Sequence, residues 1–166
     1  LIEDPTESVR IRAIQAILEA AAKQRKSIPD AVIEAVHSRR LDKKPSVRAA
    51  VLDGLASMHH ERTVHMDDWM FGEEACGTAN MEADTLAKLV LRSFYTPDRA
   101  HNSTKMTVLE LFNGTIMNPT MTPAGRASRM VRVWGLCDVM DRRAFQQLTL
   151  RQKRCRELLL NCVEAA

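Results

Sequence analysis

The sequence predicts an all-α fold built from stacked helices, and its composition and patterning carry that prediction. Leu, Ala, Met, Arg and Glu, which lose little side-chain freedom in a helix, are plentiful, whereas aromatic residues make up only 4% of the 166 residues. Val and Ile stand at helical spacing and not in the alternating runs of a half-buried strand. With 45% apolar and 27% charged residues, the chain can form a core and a polar surface, which excludes wholesale disorder.

The amino-terminal part contains two similar segments, DPTESVR and DKKPSVR, which align without gaps at an offset of 38 residues. Each begins a helix, because the Asp can bind free amide groups and the Pro ends any preceding helix. The Val starts the buried stripe, and the Arg beside it points toward the seam between repeats, where its guanidinium can bridge to a neighbouring Asp. The corresponding residues are Asp4, Val9 and Arg10 in the first segment and Asp42, Val47 and Arg48 in the second.

Apolar residues follow both segments at helical spacing. Residues 28–39 contain a further amphipathic run, which predicts the first helix of the second repeat. The 38-residue offset is close to the roughly 40–47 residues of HEAT and armadillo repeats. The sequence therefore predicts a HEAT-repeat α-solenoid, which is an α-α superhelix. We expect the chain to be a fragment of a longer array of such repeats. The predicted buried stripes are Val9, Ala13, Ile14, Ile17 and Ala20 in the first helix and Val47, Val51, Leu52 and Leu55 in the second.

The rest of the sequence predicts further helices around an insertion. Residues 1–62 form the two HEAT-like repeats, and residues 63–83, which carry several acids and two glycines without a sustained period, form a polar inter-helix insertion. Residues 84–166 are predicted to add further helical hairpins to the same solenoid. Their helical patterns cover residues 84–94, 103–117, 124–140 and 142–163, with turn-forming residues between them.

The sequence contains none of the main catalytic templates. It has no Gly-rich phosphate loop, HExxH, GxSxG or Cys–His pairing, so we predict that the chain is not an enzyme and uses no cofactor. No stretch approaches the roughly 18 apolar residues of a membrane span. The cysteines, none of them in a CxxC pair, are predicted to be free thiols and are Cys76, Cys137, Cys155 and Cys162.

A group of histidines near the insertion contains metal-binding residue types. Adjacent histidines point to different faces of a helix and therefore converge poorly on one ion, so a polar insertion is the favoured interpretation and no metal site is predicted. The residues concerned are His59, His60, His65, Asp67 and Asp68.

Several segments resemble one known family. LDKKPSVRAAVLDGLASM is similar to the HEAT segment of the cohesin-associated regulator called the precocious dissociation of sisters protein, and DPTESVRIRAIQAI is similar to the repeat just upstream. LVLRSFYTPDR resembles the family's helix that ends in an aromatic-Tyr pair and an Asp-containing corner. SRMVRVWGLCDVMDRRAFQQLTLRQKRCRELLLNCV resembles its long helical pair, although Val133, Trp134, Lys153 and Arg154 depart from the family's pattern. The resemblance covers nearly the whole chain except the insertion.

The resemblance implies a non-catalytic protein of the nucleus and the chromosome that regulates sister chromatid cohesion. It would bind the kleisin subunit of cohesin and cooperate with cohesin release or acetylation factors, with only indirect contact to DNA or chromatin. No membrane and no small-molecule substrate are expected. Two alternatives stay open: a HEAT-repeat scaffold of another assembly, such as condensin, a cohesin loader or a trafficking adaptor, and a basic helical nucleic-acid-binding module that uses residues 126–156, where Arg and Lys outnumber Asp and Glu.

Two basic clusters are candidate partner-binding residues. Tyr95, flanked by Arg92 and Arg99, stands at a predicted helix end, where a phenol and two guanidiniums could seat an acidic peptide. Lys43 and Lys44 lie in a predicted exposed turn beside a proline and could contact a carboxylate-rich partner. The alternative is a tyrosine that packs on the neighbouring repeat, with arginines and lysines that are merely solvated.

Overall fold

The computed structural model describes residues 1–23, 29–63, 78–95 and 103–164. These residues contain helices and connecting turns and no strand, which confirms the all-α class. Single 3₁₀ turns follow the second and fourth helices at Arg39–Leu41 and Ser93–Tyr95, and a π-helical turn, Phe112–Ile116, follows the fifth. The α-helices are α1 (Glu7–Lys23), α2 (Asp30–Ser38), α3 (Pro45–Thr63), α4 (Thr78–Arg92), α5 (Ser103–Leu111), α6 (Pro123–Leu136) and α7 (Val139–Glu164).

Two helix boundaries differ from those that the sequence predicts. Helix α4 begins at Thr78, so its first turns fall inside the segment 63–83 that we assigned to the insertion, and residues 64–77 of that segment lie outside the described residues. Helix α6 ends at Leu136, whereas the sequence pattern predicts a helix over 124–140. Cys137 has an extended backbone, and the Asp138 carboxylate accepts hydrogen bonds from the first amides of α7, so a new helix begins there.

Side chains before the helices satisfy the free amides at their starts. Asp4 Oδ1 accepts from the Thr6 amide at 2.8 Å, and Asp42 Oδ1 accepts from the Lys44 amide at 2.9 Å. Both aspartates therefore shape the turn that leads into a helix, and Pro45 occupies the first position of α3, where its missing N–H costs nothing. The sequence similarity of the two segments thus corresponds to two turns with the same hydrogen bond.

Helix α3 is the centre of the packing. It contacts α1, α4 and α5, while α4 also contacts α6 and α7. Three aromatic rings join the π-helical turn, α6 and α7 by edge-to-face contacts. The ring centroids are 5.2 Å apart for Phe112 and Phe145 and 5.5 Å apart for Trp134 and Phe145. The core is therefore continuous from α1 to α7.

The buried stripe of α3 coincides with the predicted one, because Val47, Val51, Leu52 and Leu55 are all fully buried. The buried stripe of α1 lies about one residue further along the helix than predicted. Its exposed Ala20 contradicts the predicted stripe, and its Val9 and Ala13 are only partly buried. Arg10, and not Val9, is the first buried residue of the stripe. The buried residues of α1 are Arg10, Ile14, Leu18 and Ala21.

Gly54 lies in close contact with Leu18 of α1. A Cβ at this position would overlap Cδ1 of Leu18 and lie 3.3 Å from its Cγ. Leu18 is itself buried between the two helices. The absence of a side chain at position 54 therefore sets the spacing of α1 and α3 at this level.

Candidate partner-binding surface

The guanidinium of Arg10 holds two turns together. It donates to the carbonyl oxygens of Asp4 at 2.8 Å and Pro5 at 3.0 Å, which belong to the turn before its own helix. It also binds the carboxylate of Asp42 through two atoms, with 3.1 Å from Nη2 to Oδ1 and 2.9 Å from Nε to Oδ2. Both side chains are almost fully buried, at 11% and 7% exposure. The planar guanidinium thus links the start of α1 to the turn before α3.

Arg48 makes the corresponding contacts one repeat later. Its Nη1 donates to the carbonyl oxygen of Asp42 at 2.9 Å and lies 3.4 Å from that of Lys43, and its Nε donates to Thr104 Oγ1 in α5 at 3.1 Å. Arg10 therefore binds the turn before α1 and a residue just before α3, and Arg48 binds the turn before α3 and a residue at the start of α5. Together they connect the starts of α1, α3 and α5 along one edge of the molecule.

The pKa of the Asp42 carboxyl lies below its usual value. Burial alone would raise this pKa, but the hydrogen bonds from the Lys44 amide and from Arg10 outweigh that effect. Asp42 is therefore ionised at neutral pH, as its ion pair with Arg10 requires.

Several charged side chains surround these turns, and we call this surface the turn edge. Arg39 pairs with Glu3 at 2.5 Å, and Lys44 lies 3.7 Å from the carboxylate of Glu7. Lys43 is exposed and forms no ion pair with any residue that the structure describes. The turn edge comprises Glu3, Glu7, Arg39, Arg40, Lys43 and Lys44. We extend the name to Arg92 and Tyr95 at the end of α4, because the charge of Arg92 acts on the same imidazole, His37, as that of Arg40.

The end of α4 is tied to the start of α7 by Arg92. Its Nη2 donates to Asp138 Oδ2 at 2.6 Å, and its Nε lies 3.5 Å from Asp141 Oδ1. The hydrogen bond from the Asp141 amide is the main reason that the pKa of Asp138 is lowered to about 2, and Arg92 adds to that effect. Arg92 thus has two carboxylate partners within the chain, although its side chain is 41% exposed.

Tyr95 ends the 3₁₀ turn after α4 and is 40% exposed. Its ring packs edge-to-face on buried Phe94, with 5.2 Å between the ring centroids, and Lys105 Nζ lies 5.9 Å from the Phe94 ring. Arg92 and Tyr95 thus lie at the same end of α4. Arg99, the third residue of the predicted cluster, lies outside the described residues.

A buried histidine at the end of α2, which the sequence did not single out, is affected by the charges of Arg40 and Arg92. His37 is 2% exposed, and its Nδ1 lies 3.5 Å from Arg40 Nη1. Burial lowers its pKa to about 4, and the nearby cations of Arg40 and Arg92 act in the same direction. The charges of Arg40 and Arg92 both act on this imidazole, so the end of α4 lies near the end of α2.

A second group of buried polar residues joins α3, α4 and α6. His59 Nε2 lies 3.8 Å from Asp84 Oδ1, and Asp84 Oδ2 accepts from Arg132 Nε at 3.0 Å. Arg129, only 1% exposed, donates to the carbonyl oxygens of Ile116 at 3.0 Å and Thr63 at 3.5 Å. These contacts are internal, so this group stabilises the fold and offers no open site.

The described residues include no group of three or more His, Cys, Asp and Glu side chains that could hold a metal ion. His59 is buried and His60 is partly buried, whereas His65, Asp67, Asp68 and Cys76 lie outside the described residues. Cys155 and Cys162 are exposed, and Cys137 is buried, which raises the pKa of its thiol to about 11. None of the helices in the described ranges is both long enough and apolar enough to cross a membrane.

These observations define an all-helical protein in which arginine contacts join the starts of α1, α3 and α5. The profile of the sister chromatid cohesion protein PDS5 family matches residues 1–166, which is the whole chain. The chain therefore belongs to this family, as its resemblance to a cohesin regulator predicted. No curated protein and no solved structure matched the chain. Membership of a family of cohesion regulators supports a cohesin-related role.

Proposed function

We propose that this chain is part of a non-catalytic HEAT-repeat scaffold that regulates sister chromatid cohesion by binding the kleisin subunit of cohesin. The observation that carries the proposal is the family match over residues 1–166. It favours cohesin over the other assemblies in which HEAT scaffolds occur. Cooperation with release or acetylation factors, and a place on chromosomes in the nucleus, belong to the same proposal.

The solenoid part of the proposal is supported by the repeated contacts of the arginines. Arg10 and Arg48 stand 38 residues apart in the sequence and bind equivalent carbonyl groups, each in the turn before its own helix. Helix α3 has α1 on one contact surface and α5 on another, as expected when equivalent helices of successive repeats are neighbours. Stacking of this kind leaves a long surface for an extended or helical partner segment.

The turn edge is the surface that we assign to the kleisin. Tyr95 offers a half-exposed aromatic ring on a fixed support, and Lys43 offers a cation without an internal partner among the described residues. Lys44 shares its charge with Glu7, and Arg92 shares its charge with Asp138. We therefore assign the main contacts to Tyr95 and Lys43 and a supporting role to Lys44 and Arg92. Aromatic anchors of this kind contribute much of the binding energy at protein interfaces.

Titration of the protein with an amino-terminal kleisin fragment in a calorimeter tests this assignment. Tyr95→Ala and Lys43→Glu should each weaken binding about tenfold, since an anchor residue is worth more than roughly 1 kcal/mol. Lys153→Glu is the matched control for the charge reversal, because Lys153 is exposed on α7, away from the turn edge. Unchanged affinity in both turn-edge variants contradicts the assigned surface, and an absence of binding by the parent protein contradicts the kleisin proposal itself.

The basic surface of α7 supports a second candidate, binding to nucleic acid. Arg143, Arg151, Lys153, Arg154 and Arg156 are exposed on this helix, and Lys153 lies 3.9 Å from the carboxylate of Glu157. Duplex DNA titrated at rising salt should then show a steep loss of affinity, because phosphate contacts release counterions. No measurable binding at low salt would eliminate this candidate.

A further inference from the structure

A groove runs between α1 and α3, away from the turn edge. Its volume is about 550 Å³, and it is lined by residues at helical spacing on both helices. Its apolar floor includes Leu18 and Ala22 on α1 and Ala50, Gly54 and Met58 on α3. The floor residues of α3 span residues 50–58, and the lining continues to Glu61, so the groove extends over roughly 16 Å of helix.

The floor has a fixed shape because Gly54 lets the Leu18 side chain lie directly on α3. Leu18 and Met58 are buried, whereas the small residues Ala22, Ala50 and Gly54 are partly exposed to the groove. Small residues therefore make up the part of the floor that an apolar side chain of a partner can reach. The groove is therefore preformed and not created by binding.

The rim of the groove is acidic. Glu19 on α1 and Asp53 and Glu61 on α3 are exposed along it, and Lys23 is the one cation among the described residues that line it. Partial desolvation raises the pKa of Asp53, and the carboxylate of Glu110 on α5 acts in the same direction. Among the described residues that line the groove, the three carboxylates thus outnumber the one ammonium group. Their negative potential favours a cationic occupant over nucleic acid or an anionic lipid surface.

We propose that the groove between α1 and α3 is a docking site for a lysine- or arginine-rich amphipathic helix of a partner protein. A helix of about 11 residues covers the length of the groove. One small aliphatic side chain would lie on the floor, and cations on both sides of it would pair with Glu19, Asp53 and Glu61. This site is separate from the turn edge, because it uses the middle and the carboxyl-terminal turns of α1 and α3 and not their starts.

Fluorescence anisotropy with a labelled synthetic peptide tests the proposal. The probe is a helical peptide of alanines and lysines with one central leucine, and a second peptide has glutamate in place of every lysine. The protein variant is Glu19→Gln/Asp53→Asn/Glu61→Gln, which removes the charges with little change of volume. The matched control is Asp30→Asn/Glu34→Gln/Glu157→Gln, which removes three exposed carboxylates elsewhere on the molecule.

The lysine peptide should bind the parent protein and the control, and it should bind the groove variant about tenfold more weakly, because three surface ion pairs, each of them weak, are lost together. The glutamate peptide should not bind. Equal affinity of the lysine peptide for the control and the groove variant overturns the proposal.

Sedimentation equilibrium distinguishes a different occupant, since the exposed basic end of α7 from a second copy also has suitable charges. A dimer that the groove variant dissociates would overturn the assignment to another protein. The groove variant should bind the kleisin fragment as tightly as the parent protein does. Failure of the groove proposal is therefore distinguishable from failure of the kleisin proposal at the turn edge.

Discussion

The contact between Gly54 and Leu18 gives the sharpest test of how α1 packs on α3. In an exposed helix interior, Gly→Ala stabilises a protein by about 0.5–1 kcal/mol. At position 54 the added methyl group overlaps Cδ1 of buried Leu18 and approaches its Cγ, so Leu18 must leave its rotamer. Overpacking of this kind costs about 1–3 kcal/mol. We therefore expect Gly54→Ala to lower the free energy of unfolding by about 1 kcal/mol, as the difference of these effects.

A double-mutant cycle isolates the overlap. Leu18→Ala alone should cost about 2–5 kcal/mol, because it leaves a cavity in the core between the two helices. In that background the methyl group at position 54 no longer overlaps a side chain and fills part of the cavity, so Gly54→Ala should become stabilising. The interaction energy between the two substitutions should be about 1–2 kcal/mol.

Urea unfolding followed by far-UV circular dichroism measures all four proteins of the cycle. Gly135→Ala in α6 is the matched control, because a Cβ there would meet no atom within 4 Å. It should stabilise the protein by about 0.5 kcal/mol, the usual gain from helix propensity. If Gly54→Ala has the same effect in the parent protein and in the Leu18→Ala variant, α1 does not approach α3 at this point and our account of their spacing is refuted.

Three further predictions concern the buried polar groups. Arg129→Met should lower the free energy of unfolding by roughly 2–4 kcal/mol, because it leaves the carbonyl groups of Ile116 and Thr63 without their donor. In the same urea titration, the control Arg143→Met at an exposed position should change the free energy of unfolding by less than about 0.5 kcal/mol. Asp42→Asn should lower the free energy of unfolding by about 1–3 kcal/mol at pH 7. Since the Asp42 pKa is lowered on folding, this difference in stability from the parent should shrink as the pH falls below about 4 and the carboxylate is protonated. A difference in stability that does not depend on pH argues against the ion pair with Arg10. His37 has a folded pKa of about 4, below its unfolded value of roughly 6.5, so the unfolded chain binds the extra proton and stability should decrease by up to roughly 3 kcal/mol between pH 6.5 and pH 4. His37→Gln should flatten that dependence, and an NMR titration that places the imidazole pKa near 6.5 would contradict it.

The fold class and the turn contacts could be predicted from the sequence because they depend on local spacing. The two Asp-to-Arg segments specify turns with the same geometry, and the pairing of Arg10 with Asp42 follows once two such turns stand next to each other. The stripe of α3 is clear in the sequence, since most of its buried side chains are apolar. The predicted stripe of α1 was wrong by one position because it was started at Val9, whereas the neighbouring Arg10 is the buried residue and lies inside with the partners that it binds.

The long-range ion pairs, the buried polar side chains and the groove could not be predicted, because they depend on contacts between residues that are distant in sequence. Arg92 is separated from Asp138 by 46 residues, and nothing in the local pattern indicates that this carboxylate lies beside it. His37, His59 and Arg129 are polar side chains inside the core, and sequence reasoning places polar side chains on the surface unless a partner is known. The acidic groove likewise arises from two helices, because the carboxylates of either helix alone do not indicate a site.

The arginine contacts also determine how the molecule transmits force. Each guanidinium that joins two neighbouring units simultaneously holds the carbonyl groups that shape its own turn. Separating two of these neighbouring units would therefore strain the turn as well as the contact between the units.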